Sequence, residues 1–83
     1  MFNNSKILIT GGTGSFGKKF IQMSIKKFNF KKIIIYSRDE MKQWDMSQDY
    51  LDNNKIKFVI GDVRDYDRLN QTMKNIDFVV HAA

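Results

Sequence analysis

The chain has 83 residues, with 14 Lys or Arg against 9 Asp or Glu for a formal charge of +5, and at this length it folds as one small domain at most. Hydrophobic residues at 42% and charged residues at 28% are the balance of a globular protein and exclude a disordered or membrane-spanning one. Cysteine is absent, which removes disulfides and thiolate metal sites and leaves the cytoplasm as the default compartment.

Met1 to Lys6 form no apolar stretch of signal-peptide length, and no later run is long enough for a bilayer span, so no membrane partner is expected. The pairs Lys18-Lys19, Lys26-Lys27 and Lys31-Lys32 surround one helical segment. The second half mixes Asp39, Glu40, Asp45, Asp49 and Asp52 with its cations. This is a solvated face and not a nucleic-acid site.

Apolar runs at Ile7 to Ile9, Ile33 to Tyr36, Phe58 to Ile60 and Phe78 to Val80 predict four buried parallel strands. Between them, helical spacing connects Phe16, Phe20, Met23 and Phe28, then Met41, Trp44 and Leu51, then Tyr66, Leu69, Met73 and Ile76. The order βαβαβαβ predicts an α/β fold, a doubly wound parallel sheet with strand order 3-2-1-4 and a crevice at the carboxyl ends of strands 1 and 4. With nothing following His81-Ala82-Ala83, the chain is expected to be a partial Rossmann domain cut off after strand 4.

Thr10 to Gly17 follows the first strand and opens the first helix. The dinucleotide turn needs a tight bend, then a residue with no side chain where pyrophosphate meets backbone, then a small residue where helix packs on strand. Gly11 or Gly12, then Gly14, then Gly17 fill these roles, and the helix N-terminus favours phosphate. Thr13, Ser15 and the Phe16 amide add hydrogen bonds. No Gly-Lys-Ser/Thr closes the loop, which excludes a Walker-type phosphate loop.

Ser37-Arg38-Asp39-Glu40 follows strand 2, where the ribose is read. The Arg38 guanidinium suits a 2'-phosphate, with Ser37 as a second donor and Lys42 adding charge, so NADP is expected over NAD. Asp39 could instead bind ribose and permit NAD, and Ser37-x-x-Glu40 also reads as a capping box for the second helix. After strand 3, Asp62 and Val63 are candidates for the adenine amino group and ring, while Asp62 or Asp65 could simply cap the third helix. His81, the single histidine, is assigned no catalytic role.

TGGTGSFG at Thr10 to Gly17, IIIYSRDE at Ile33 to Glu40, GDVRD at Gly61 to Asp65 and HAA at His81 to Ala83 resemble the extended short-chain dehydrogenase/reductase family. Within it they look most like the inverting UDP-N-acetylglucosamine 4,6-dehydratases of pseudaminic acid and capsule sugar synthesis. The resemblance implies NADP, with Gly11, Gly14, Ser15, Phe16 and Gly17 at the phosphates and Ser37, Arg38 and Lys42 at the 2'-phosphate. Asp62 and Val63 would hold adenine, with Ala82 and Ala83 near the nicotinamide-side ribose. The implied reaction is a lyase reaction on a UDP-sugar: hydride leaves C4, water is eliminated across C5 and C6, hydride returns to C6, and C5 is reprotonated on the opposite face.

The family's Tyr-x-x-x-Lys pair does not occur in these residues, so no catalytic residue and no metal ligand is assigned. Residues 1–83 are expected to be the N-terminal half of the cofactor domain, inactive alone, with the catalytic segment and substrate domain absent. The complete enzyme is expected to be a homo-oligomer. Competing readings are a UDP-sugar 4-epimerase fragment and a non-catalytic NADP-binding module.

Overall fold

The computed structural model describes residues 3–82. Strand β1 (Lys6–Thr10) leads through the glycine turn into α1 (Ser15–Lys27), followed by β2 (Lys32–Ser37) and α2 (Glu40–Ser47). A 3-10 turn at Gln48–Tyr50, then β3 (Ile56–Ile60), α3 (Tyr66–Thr72) and β4 (Phe78–His81) complete the order. All strands pair in parallel as β3-β2-β1-β4, the doubly wound Rossmann arrangement expected from the alternation. The ladders run past the apolar cores into Lys6, Thr10, Lys32, Ser37 and His81, because backbone pairing continues where side-chain hydrophobicity stops.

Right-handed crossovers carry the chain from β1 through β2 to β3 in one direction and back across to β4 in the other. This places α1 and α2 on one face and α3 on the opposite one. The core lies on the first face, where Ile7, Ile9, Ile33, Ile35 and Ile56 meet Ile21 of α1 and Met46 of α2. The opposite face is covered more thinly: α3 contributes no buried residue, and Val79 remains 47% exposed.

The helical stripes expected from spacing pack only in part: Phe20 lies against the core, but most of the other stripe residues do not. In α1 the buried positions are Gly17, Ile21 and Ser24, whereas Phe16 is 57% exposed and Met23 is also open. In α2 they are Gln43 and Met46, with Met41 and Trp44 exposed, and Leu51, Tyr66 and Met73 also face outward. Close approach is the reason in α1. A Cβ on Gly17 would stand 2.5 Å from the Gly12 Cα, so the helix presents its small residues to the sheet. Ser24 fits there because its hydroxyl donates to the Phe20 carbonyl at 2.8 Å. No helix among the described residues is long and apolar enough to cross a membrane.

Candidate functional site

Each glycine of the turn has a different reason to be glycine. Gly11 adopts φ 70°, a left-handed conformation that side chains disfavour, which makes it the turn glycine and settles the choice between Gly11 and Gly12. Gly12 packs on the core, where a Cβ would meet Ile35 Cγ2 at 2.8 Å and Ile9 Cγ2 at 3.1 Å. Gly17 is the contact of helix on turn. Gly14 differs from these three: its φ of −79° suits any residue, and the nearest atom to an added Cβ is the Gly11 oxygen at 3.6 Å. Internal packing does not require a glycine there.

Gly14 is also the N-cap of α1, with no side-chain cap and no acidic residue in the first turn. The first intrahelical bond runs from the Lys18 N–H to the Gly14 carbonyl at 3.0 Å, so the amides of Ser15, Phe16 and Gly17 have no helical acceptor. Ser15 and Phe16 are exposed beside this end, while Thr13 is buried within the turn. Such an end attracts an anion through its N–H groups and the helix dipole.

The other two helices close their own ends. Asp39 caps α2 by accepting from the Lys42 N–H at 3.0 Å, and Asp65 caps α3 by accepting from the Arg68 N–H at 3.3 Å. The Ser37-x-x-Glu40 capping box is therefore not formed: Ser37 ends β2, and Asp39 reaches the amide first. Since Asp65 serves α3, Asp62 is left for the cleft.

At the carboxyl ends of β1, β2 and β3, a cleft of about 380 Å³ brings together Gly11, Ser37, Arg38, Asp62 and Val63, all singled out from the sequence. It adds Tyr36, Gly61 and Arg64. Tyr36 is fully buried and donates its hydroxyl to the Asp62 carbonyl at 2.9 Å; its ring occupies the space where a Gly61 side chain would lie. Burial pushes the Tyr36 phenol up, so it stays a neutral donor.

Asp62 accepts from the Arg64 backbone N–H at 2.9 Å and from Arg64 Nη2 at 3.0 Å, and Arg38 Nη1 stands 3.5 Å away. The side-chain and backbone hydrogen bonds from Arg64 hold the Asp62 carboxyl down to about 2, with a smaller pull from Arg38. Two guanidiniums facing one carboxylate leave the rim with an excess of positive charge.

Lys42 is exposed on the first turn of α2 and does not line the cleft. Ala82 follows β4 and donates its N–H to the Thr10 carbonyl at 2.8 Å, which places it beside the glycine turn. Ala83 lies outside the described residues. His81 Nδ1 pairs with Thr10 Oγ1, a bond that ties the ends of β1 and β4.

Two residues went unnoticed in the sequence. Arg64 stands two positions from Asp62, a spacing that permits a local backbone bond and could have flagged it. Gln43 is buried, and its amide donates to Ser37 Oγ and the Val59 carbonyl, both at 2.8 Å. No local signal marks it, because a glutamine on a short helix ordinarily faces water.

The glycine turn, the 3-2-1-4 parallel sheet and the cleft above the strands' carboxyl ends define a Rossmann-type α/β protein. The chain belongs to the polysaccharide biosynthesis protein family, whose family model matches residues 7–83. Over its whole length it is 53% identical to the UDP-N-acetylglucosamine 4,6-dehydratase (inverting) of Campylobacter jejuni subsp. jejuni serotype O:23/36 (strain 81-176), covering 25% of that protein. It is 52% identical over 87 aligned residues to the UDP-glucose 4-epimerase of Rickettsia bellii (strain OSU 85-389), covering all of this chain and 25% of that protein. The X-ray structure of Pen from Bacillus thuringiensis is similar with a TM-score of 0.92 at 36% identity, covering 100% of this chain and 25% of that one. The chain thus spans about 25% of the length of the relatives it matches.

Proposed function

We propose that the chain is the NADP-binding N-terminal part of a UDP-sugar 4,6-dehydratase, a lyase that acts on UDP-N-acetylglucosamine with inversion at C5. The observation that carries this reading is the uncapped N-terminus of α1 at Gly14, standing beside a cleft edged by Ser37 and Arg38. The residues fit the cofactor. Gly14 leaves backbone open to a pyrophosphate, the amides of Ser15, Phe16 and Gly17 supply donors, and Thr13 supports the turn from within.

NADP over NAD is supported by the role of Asp39, whose carboxylate is engaged in capping α2 instead of facing the ribose. Arg38 and Ser37 then meet a 2'-phosphate, with Lys42 adding charge from outside the cleft. Asp62, kept ionised by Arg64, accepts from the adenine amino group, and Val63 covers the ring. Ala82, beside the glycine turn, lets the nicotinamide-side ribose approach backbone. NADP held by these residues would supply a hydride acceptor that is regenerated within the turnover, so that the net change to the sugar is loss of water. The sugar pocket and proton-transfer groups belong to other parts of a cytoplasmic, homo-oligomeric full-length protein.

The full-length protein, incubated with UDP-N-acetylglucosamine, should release a sugar nucleotide lighter by one water that carries solvent deuterium at C5. A product of unchanged mass, epimeric at C4, would favour the epimerase reading that the Rickettsia relative supports. Exchanging Arg38→Ala should weaken NADP by about 1.5–3 kcal/mol in calorimetry and leave NAD nearly unaffected. Equal loss of both would remove Arg38 from the 2'-phosphate.

A further inference from the structure

Gln43 sits on the buried side of α2, and its Nε2 has two protons for three oxygens: Ser37 Oγ and the Val59 carbonyl at 2.8 Å, and the Ser37 carbonyl at 3.3 Å. Carbonyl oxygens only accept, so the nitrogen must face them, and Ser37 Oγ, bonded to the same nitrogen, accepts as well. A hydroxyl that accepts from within the protein directs its own proton elsewhere. Among the described residues no protein group takes that proton, and Ser37 lines the cleft next to Arg38. If that proton turns toward the cleft, an O–H donor beside a guanidinium matches an oxyanion better than a neutral hydroxyl, since hydrogen bonds to charged acceptors are the stronger ones.

We infer that Gln43 is a positioning residue for cofactor choice: it holds the Ser37 hydroxyl as an outward donor and so favours a 2'-phosphate over a 2'-hydroxyl. The inference rests on the NADP reading and goes beyond it, because Gln43 itself touches no cofactor atom. Without Gln43 the hydroxyl is free to turn inward to the Val59 or Ser37 carbonyl, and the cleft loses a donor while keeping Arg38.

The test is calorimetric binding of NADP and NAD to the full-length protein, its Ser37→Ala and Gln43→Met variants, and the double variant. Each single change should cut the preference for NADP by roughly tenfold. The double variant should fall no further than either single one. A purely structural glutamine would weaken both cofactors alike and leave their ratio intact, and that result overturns the inference. A parent that binds both cofactors equally overturns the cofactor reading and this inference with it. A parent that prefers NADP while the variants keep that preference overturns the inference alone. Should Gln43→Met fail to fold, Ser37→Ala still decides: an unchanged preference shows that the hydroxyl does not read the phosphate.

Discussion

Three α-helices begin among the described residues, and they begin in two different ways. The ends of α2 and α3 are closed by their own aspartates, Asp39 and Asp65. The longest helix, α1, starts at a glycine with no cap, no acidic residue in its first turn and exposed residues beside it. A glycine at the N-cap loses roughly a few tenths of a kcal/mol relative to an aspartate that caps with its side chain. The chain accepts this loss at the end that follows the glycine turn beside the cleft, where a bound anion can take the place of the cap. On the proposed reading, the difference separates a helix that is only structural from one whose first turn receives the cofactor's phosphates.

Giving α1 what α2 already has is the sharpest way to break that contrast. The Gly14→Asp change should weaken dinucleotide binding by about a hundredfold or more, because a carboxylate would occupy the amides and repel phosphate. Folding stability should hold or rise by roughly a few tenths of a kcal/mol, since aspartate caps at least as well as glycine. Calorimetry and urea melts on the same sample separate the two effects, and intact binding would mean that α1 is not the phosphate end. Gly17→Ala should do the opposite. Its Cβ would press on Gly12 backbone, so stability should fall by about 1–3 kcal/mol in urea.

A smaller effect is expected at the closed end of α2. Removing the cap with Asp39→Ala should cost about 1 kcal/mol of stability and leave the ratio of NADP to NAD affinity unchanged. A changed ratio would show that Asp39 reads the ribose after all. The smallest effect concerns acid. Asp62 titrates in the folded protein at about 2, below the ordinary aspartate value. Its contribution is therefore complete above pH ~4 and fades as the pH falls through the folded value. Carboxyl carbon NMR should find that low midpoint in the parent and a return toward the ordinary range in Arg64→Ala.

Much of the fold was legible because the relevant signals are local. Unbroken apolar runs such as Ile33 to Tyr36 mark strands buried on both faces, and their alternation with helices dictates a parallel sheet whatever the details of packing. The glycine turn was legible for the same reason, since a bend, a bare backbone and a helix start follow one another directly in the chain. The helix faces were not. Periodicity in α1 pointed to Phe16, Phe20, Met23 and Phe28, of which Phe20 packs against the core while Phe16 and Met23 stay open, because the contact of Gly17 on Gly12 sets which side of the helix meets the sheet.

The amino-acid sequence by itself determined the elements, their parallel order and part of the set of residues that gather at the strands' carboxyl ends, namely Gly11, Ser37, Arg38, Asp62 and Val63. Tertiary structure alone decided how those residues divide their work. Gly11 is the turn glycine because its φ is positive, and Gly14 is left over once Gly12 and Gly17 have been explained by packing. Asp39 closes a helix, Asp65 closes another, and Asp62 is held by two arginines, although all three are aspartates just beyond a strand. Gln43 meets Ser37 and Val59 only because α2 folds back over the ends of β2 and β3. Spacing along a chain specifies which groups are near one another locally, whereas a hydrogen bond is made by whichever donor arrives at the right distance and angle, and that is set by the packing of whole elements.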